Sequence, residues 1–463
     1  MSQSPPPPDT PATPEPGDSQ EFSGNSGKKL LDCRILALAI PSLGSLVAEP
    51  LFVLIDSAVV GRLGTNQLAG LSVASTVLTT IVGLCVFLAY ATTASVSRKL
   101  GAGHTKEALR SGIDGIWLAI GLGIILALGL LFSAPYLLAA LGAKDAVLTN
   151  AVAYLRWSAP GLPGMLLVLA ATGVLRGFQD TKSPLWVASI GAAVNALLSV
   201  ALVYGAGMGT AGSGLGTAIT QLAMGAVLAT LVARGAKREG ISLRPATHGI
   251  LSNVRTGTPL LIRTLSLRVA IILTVFTATG LGATVLAGHQ VVNSVWGLAA
   301  FALDALAIAA QALIGHSLGS GDRKFTRAAV TRTLQWGVLV GAVLGVIIAV
   351  GGWWFAPLFT HDPLVREAVM YGCIVAGVFM PIMGWVCVLD GVLIGAGDGV
   401  YLAKVGVLNL VVYAPFVWAV HLWAPTGAMG LMWLWLSFAG VYIGIRAVTT
   451  GVRASGTAWM KVG

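Results

Sequence analysis

Four carboxylates stand inside apolar stretches of this chain: Glu49 and Asp56 in EPLFVLIDSAVVGRLG, Asp304 in FALDALAIAAQALIG and Asp390 in GWVCVLDGVLIGAGD. An ionised side chain in the middle of such a stretch costs roughly 2.5–3.5 kcal/mol on insertion scales. Asp56 lies 15 residues beyond Pro41, about 22 Å along an ideal helix, which places it in the outer half of its helix. Desolvation disfavours the charged form of a carboxyl group. An acid there can therefore exchange a proton as its access to water changes. Pro41 removes one backbone hydrogen bond and lets the helix bend. Glu49 directly precedes Pro50, where a local structural role is an equal reading.

Candidate partners at the depth of Asp56 are Asn195, midway along WVASIGAAVNALLSVALV, Ser199 one turn beyond it, and Thr217 in GTAGSGLGTAITQ. Such hydroxyls also serve as packing residues in membrane helices. A second polar group comprises Asp304, Gln311 seven residues on along the same face, Asp390 and Arg263. Arg263 and Arg268 both need counter-charges, so these acids are either coupling or substrate residues, or members of a structural ion pair. Asp114 is expected near a solvated helix end. Ten of the 13 tryptophans lie beyond residue 256. Interfacial anchoring explains them more simply than an aromatic cage for flat cations.

Catalysis has no constellation to rest on. HExxH and P-loop patterns are missing, so an enzyme is not expected. Cys33, Cys85, Cys373 and Cys387 form no C-x-x-C pair, and neither a metal site nor a disulfide is expected.

The elements that position these residues are apolar helices arranged as a repeat. The chain has 463 residues, 56% hydrophobic and 10% charged, against about 25% charged in soluble domains. It matches itself without a gap at one fixed offset, the one that carries Leu63 onto Leu281. Leu63-Gly64 meets Leu281-Gly282, and Leu100-Gly101 with Gly103 meets Leu318-Gly319 with Gly321. Pro163 meets Pro381, Gly177 and Asp180 meet Gly395 and Asp398, and Gly209 meets Gly427. Apolar spans are predicted at 35–61, 67–97, 112–135, 146–175, 184–206 and 210–233, then at 256–281, 284–317, 333–358, 364–395, 402–422 and 426–450.

The expected organisation is a disordered Pro-rich tail over 1–28, an N-lobe over 29–233, a polar linker over 234–255, a C-lobe over 256–450 and a short tail over 451–463. The fold class is an all-α membrane protein of twelve transmembrane helices in two parallel six-helix repeats. With the N-terminus inside, 22 Lys and Arg fall on the cytoplasmic side and four outside. That bias places both termini in the cytoplasm. It also accounts for the net charge of +10 without nucleic-acid binding. The surplus includes Arg176, read as a loop residue, and Arg446, read as part of the C-terminus.

At these residues the chain resembles the MATE (multidrug and toxic compound extrusion) transporters of the DinF branch. The resemblance spans about residues 30–450. It rests on AIPSLGSLVAEPLFVLIDSAVVGRLG, LAGHQVVNSVWGLAAFALDALAIAAQALIG, VLRGFQDTKSPL and its echo VLIGAGDGVYLA. It implies a two-lobe plasma-membrane antiporter that exports organic compounds against inward H⁺ or Na⁺. By the resemblance Asp56 is the N-lobe acid, Pro41 the bend of the first helix, and Asn195 and Thr217 the polar partners of that acid. Arg263 and Asp304 resemble positions typical of the branch. Ser199 stands where many relatives carry a second acid, and the seventh-span glutamate of the NorM branch is missing. One carboxylate with Asn and Thr fits H⁺ better than tightly held Na⁺, so the expected coupling ion is H⁺, with Na⁺ as the alternative. The expected partners are a small-molecule substrate, cationic or amphipathic, and the lipid bilayer, with the chain acting as a monomer and without an organic cofactor. A flippase of lipid-linked precursors is the rival transporter. It would show a basic central cavity, for which the spans offer only Arg263 and Arg268.

Overall fold

A computed structural model describes residues 25–461. The Pro-rich tail therefore lies, through residue 24, outside the described residues. Twelve helices among the described residues are long and apolar enough to cross a membrane: α1 Gly27–Gly61, α2 Thr65–Gly101, α3 Thr105–Ala140, α4 Asp145–Gly177, α5 Lys182–Gly205, α6 Thr210–Arg238, α7 Thr247–Gly280, α8 Ala283–Gly319, α9 Arg323–Trp354, α10 Pro363–Gly395, α11 Gly399–Trp423 and α12 Ala428–Ser455. The first helix begins two residues earlier, at Asn25. The protein is an all-α membrane protein built as an N-lobe, α1–α6, and a C-lobe, α7–α12.

The repeated landmarks have physical causes. Gly64 and Gly282, Gly103 and Gly321, and Gly209 and Gly427 all have φ between +59° and +146°. Each pair ends one helix and starts the next in a conformation that a Cβ penalises. A second cause lies where α2 crosses α8. A Cβ on Gly101 would sit 1.9 Å from the His316 carbonyl oxygen, and a Cβ on Gly319 would sit 2.0 Å from the Arg98 carbonyl oxygen. Arg98 and His316 are themselves repeat partners at the same offset. The contact is thus reciprocal, as a two-fold axis along the bundle requires.

Several helices are locally irregular where the hydropathy gives no warning. Helix α2 turns at Cys85–Val86. Helix α4 has a 3₁₀ turn over Ala159–Gly161. Helix α5 ends in a π turn over Ala201–Gly205, and α12 contains one over Leu436–Tyr442. Helix α1 runs through Pro41 and Pro50 without a break. The carbonyl of Ala37, which loses its usual donor at Pro41, lies 3.5 Å from the Thr181 hydroxyl.

The lobes meet on the face that carries both ends of the described chain. The Arg332 guanidinium donates to both oxygens of Asp32, 2.6 Å each, and Trp336 Nε1 donates to Asp32 Oδ1 at 2.8 Å. Arg98 donates to the carbonyls of Ala396 and Lys461 at 2.9 and 3.1 Å. Deeper in, Gln311 Nε2 donates to the Tyr90 carbonyl at 2.8 Å. Two six-helix bodies are therefore clamped at one end.

Candidate functional site

The N-lobe site is built around Asp56, 2% exposed. Ser199 Oγ on α5 donates to Asp56 Oδ1 at 2.9 Å, and Thr217 Oγ1 on α6 donates to Oδ2 at 2.9 Å. The Tyr154 hydroxyl on α4 donates to Oδ2 at 3.3 Å. No described cation pairs with this carboxylate. The small residues of α6 bring the helices together: a Cβ on Gly214 would lie 2.4 Å from the Tyr154 carbonyl oxygen, and one on Gly216 3.3 Å from Ser199 Oγ.

The sequence sets Asn195 against the acid itself. In the structure it instead donates from Nδ2 to Thr217 Oγ1 at 3.3 Å, so it acts on Asp56 through Thr217. Its Oδ1 is buried without a hydrogen-bond partner. Tyr154 is a partner that sequence reasoning misses. Its ring looks like one more apolar residue of α4, and nothing local marks its hydroxyl.

Hydroxyl groups suit an acid that changes charge. Each can donate to a carboxylate or, after rotation, accept from a carboxylic acid. A guanidinium could only donate and would fix the charged form.

The C-lobe site is organised differently. Asp390 Oδ2 accepts from both Arg263 on α7 and Arg446 on α12. Asp304 takes no part in that pair. It lines a cavity of about 30 Å³ with Tyr90, Arg263, Gln311, Cys387 and Asp390, room for a water molecule or two. Of the two counter-charge options left open by the sequence, Asp390 holds Arg263. Arg268 has no ion pair among the described residues and is exposed, with its Nη2 2.6 Å from where a Cβ on Gly83 of α2 would be.

Three residues lie otherwise than expected. Arg446, counted among the cytoplasmic cations of the C-terminus, is only 7% exposed and is buried within α12. Arg176 is 8% exposed in the last turn of α4, where Nη2 donates to Ser45 Oγ at 3.2 Å and Nε has no partner. Asp114 is buried rather than solvated. It pairs with Arg110 at 3.2 Å and accepts from the Ala246 amide at 3.2 Å. In each case a charged side chain near a helix end reads as solvated, because hydropathy falls at the charge itself. Removing Arg176 and Arg446 from the 22 inside cations leaves 20 against four, so the charge bias survives.

Comparison with known proteins settles the kind of molecule. A family profile described as MatE matches residues 41–201 and again 259–419, two segments related by the same offset as the turn glycines. Protein DETOXIFICATION 44, chloroplastic, of Arabidopsis thaliana is 29% identical over 86% of this chain and 78% of its own length. DNA damage-inducible protein F of Escherichia coli (strain K12) is 27% identical over 78% of this chain and 79% of its own. A solved structure described as the outward-facing conformation of a multidrug resistance MATE family transporter of the MOP superfamily superposes with a TM-score of 0.82 at 19% identity, covering 96% of this chain and 99% of that one. The twice-matched profile, the twelve-helix fold and these relatives together place this chain in the MATE family of transporters.

Proposed function

We propose that this protein is a plasma-membrane antiporter that exports a small organic compound in exchange for H⁺, with Asp56 as the proton carrier. The observation that carries the reading is a buried carboxylate held by three hydroxyl groups and by no described cation. Protonation of Asp56 removes a charge from the interior of the N-lobe and lets the hydroxyls of Tyr154, Ser199 and Thr217 reorient. A packed lobe with two hydrogen-bond arrangements is the bistable element that alternating access needs. With both termini in the cytoplasm, the clamp at Asp32, Arg332 and Arg98 closes the inner side. The family relationships support export. The 20-to-four bias of basic residues supports the orientation.

One observation favours Na⁺ as a second reading. The unpartnered Oδ1 of Asn195 could join the oxygens of Asp56 and Thr217 around a cation. Transport by purified protein in proteoliposomes, under an imposed ΔpH or an imposed ΔNa⁺, separates the two. Flux driven by ΔpH without Na⁺, and lost in Asp56→Asn, is the expected result. Flux that requires ΔNa⁺ would replace H⁺ by Na⁺ as the coupling ion.

A further inference from the structure

We infer that the compound moved between the lobes is an organic anion, recognised through carboxylate or phosphate oxygens by arginines that both lobes contribute. For its transport arm the inference rests on the antiport reading above. For binding it stands alone.

The observations are a charge imbalance and an unsatisfied cation. Four arginines stand at membrane depth around the junction of the lobes: Arg176 from the N-lobe, and Arg263, Arg268 and Arg446 from the C-lobe. Two described aspartates face them, Asp304 and Asp390. Asp390 is already shared by Arg263 and Arg446. Even with both acids ionised, a formal surplus of two positive charges remains. Tyr90 on α2 is where the two sets meet: it lines one cavity with Arg263, Asp304 and Asp390, and the end of α4 that carries Arg176 packs on the next turn of α2, where Thr93 Oγ1 donates to the Gly173 carbonyl at 2.9 Å. Arg268 reaches α2 two turns away, at Gly83. Asp56 is not part of this group: its described hydrogen-bond partners are the hydroxyls of Tyr154, Ser199 and Thr217.

A buried guanidinium normally spends its donors on an acid. Arg176 has one serine hydroxyl as its hydrogen-bond acceptor, and its buried Nε has none. Arg263 Nε is likewise buried and unpartnered. Planar donors left over on both walls of one junction match the paired oxygens of a carboxylate or phosphate. The cavity where Tyr90 meets Arg263, Asp304 and Asp390 holds only about 30 Å³ with the lobes clamped as described. An anion would therefore meet both sets of arginines only as the clamp opens. A cation would have to displace the surplus charge without gaining a free acid.

Anion export also has a distinct electrical signature. An outgoing anion and an incoming proton both carry positive charge inward, so an inside-negative potential accelerates the exchange. One-for-one exchange of a monovalent cation for a proton moves no net charge.

The test uses the full chain, purified and reconstituted, with a pH indicator for coupled proton movement and thermal stabilisation for binding. The probes are succinate and phenyl phosphate as soluble anions, dioleoyl phosphatidic acid as a lipid anion, and ethidium as a cation. The expected result is that the soluble anions stabilise the protein and evoke proton movement that rises with an inside-negative potential, while ethidium does neither. Arg176→Gln should raise the half-saturating anion concentration at least about tenfold, the scale of a lost charge-assisted hydrogen bond, and Arg176→Lys should recover part of it. Arg268→Gln, at an exposed position, should weaken binding without endangering the fold. It keeps the question answerable if Arg176→Gln is poorly folded. Proton movement evoked by ethidium but by no anion overturns the inference and leaves the antiport reading intact. Anion stabilisation that depends on Arg176 without any coupled proton movement supports the inference and overturns the antiport reading. Stabilisation by phosphatidic acid but by neither soluble anion overturns a soluble substrate in favour of a lipid headgroup.

Discussion

The two lobes share a frame and differ in what they place on it. At the repeat offset Asp56 corresponds to Thr274, Asn195 to Tyr413, Thr217 to Trp435 and Ser199 to Val417. All four C-lobe residues are buried. The acid–hydroxyl network of the N-lobe is replaced by one hydrogen bond between side chains, Thr274 with Tyr413 at 2.7 Å, inside an aromatic cluster of Trp296, Tyr413, Trp435, Phe438 and Tyr442. The C-lobe keeps its charges elsewhere, at the junction. Arg263 occupies the position equivalent to Ser45, the same serine to which the N-lobe's Arg176 donates. Duplication preserved turns and helix crossings, which any membrane half needs. It left the polar interior free to diverge into one lobe that exchanges a proton and one that carries fixed charge.

The largest expected effect tests that division directly. Asp56→Asn should reduce ΔpH-driven flux to background at matched membrane expression, because the amide cannot take up or release the proton. Its repeat partner should behave differently. Thr274→Val removes a neutral hydrogen bond worth about 1 kcal/mol and should leave coupled flux in place with a modest loss of thermal stability. If Thr274→Val abolishes coupling as Asp56→Asn does, the lobes are not specialised as described.

A second contrast lies within the C-lobe. Asp390→Asn leaves Arg263 and Arg446 buried without their acid. Removing one partner of a buried ion pair costs about 3–5 kcal/mol, so yield and thermal midpoint should fall sharply. Asp304→Asn breaks no ion pair and should fold normally, with its effect confined to transport. Equal stability of the two variants, read by thermal unfolding in detergent, would show that the Asp390 pair is not structural.

The reciprocal crossing of α2 and α8 offers a symmetric test. A methyl group at Gly101 or Gly319 meets a backbone carbonyl at 1.9 or 2.0 Å, which backbone cannot yield cheaply. Gly101→Ala and Gly319→Ala should each hold the lobes apart on the clamped face and slow turnover. Because the contacts are equivalent, the two should act alike. Spin-label distances across that face measure the opening, and a response to one substitution alone would break the two-fold argument.

Much of this frame is legible in the chain. Turn glycines and apolar spans leave a period, and the cost of an ionised residue in an apolar run singles out Asp56, Asp304 and Asp390. What is not legible depends on which helix faces which. Tyr154 has no local mark that distinguishes it from a packing residue until α4 is laid beside α1. Arg176 and Arg446 sit where hydropathy falls, so a charge that ends an apolar run cannot be told from one buried inside its last turn. The exchange of Asn195 from direct to indirect partner is a matter of one helical turn, below what periodicity resolves.

Asn195 provides the finest test of the N-lobe network. Its amide holds Thr217 Oγ1 as an acceptor, which leaves the Thr217 proton directed at Asp56. Asn195→Ala frees that hydroxyl to turn, so the ionised carboxylate loses one oriented donor while the protonated acid loses little. The change is a fraction of a hydrogen bond, and one unit of pH corresponds to about 1.4 kcal/mol. Flux should therefore persist, with the midpoint of its pH profile displaced to alkaline pH by less than about one unit. Thr217→Ala removes the donor itself and should displace the midpoint further in the same direction. Flux against external pH for wild type and both variants decides it. An Asn195→Ala profile displaced more than that of Thr217→Ala would mean that Asn195 meets the proton site directly in another state of the cycle.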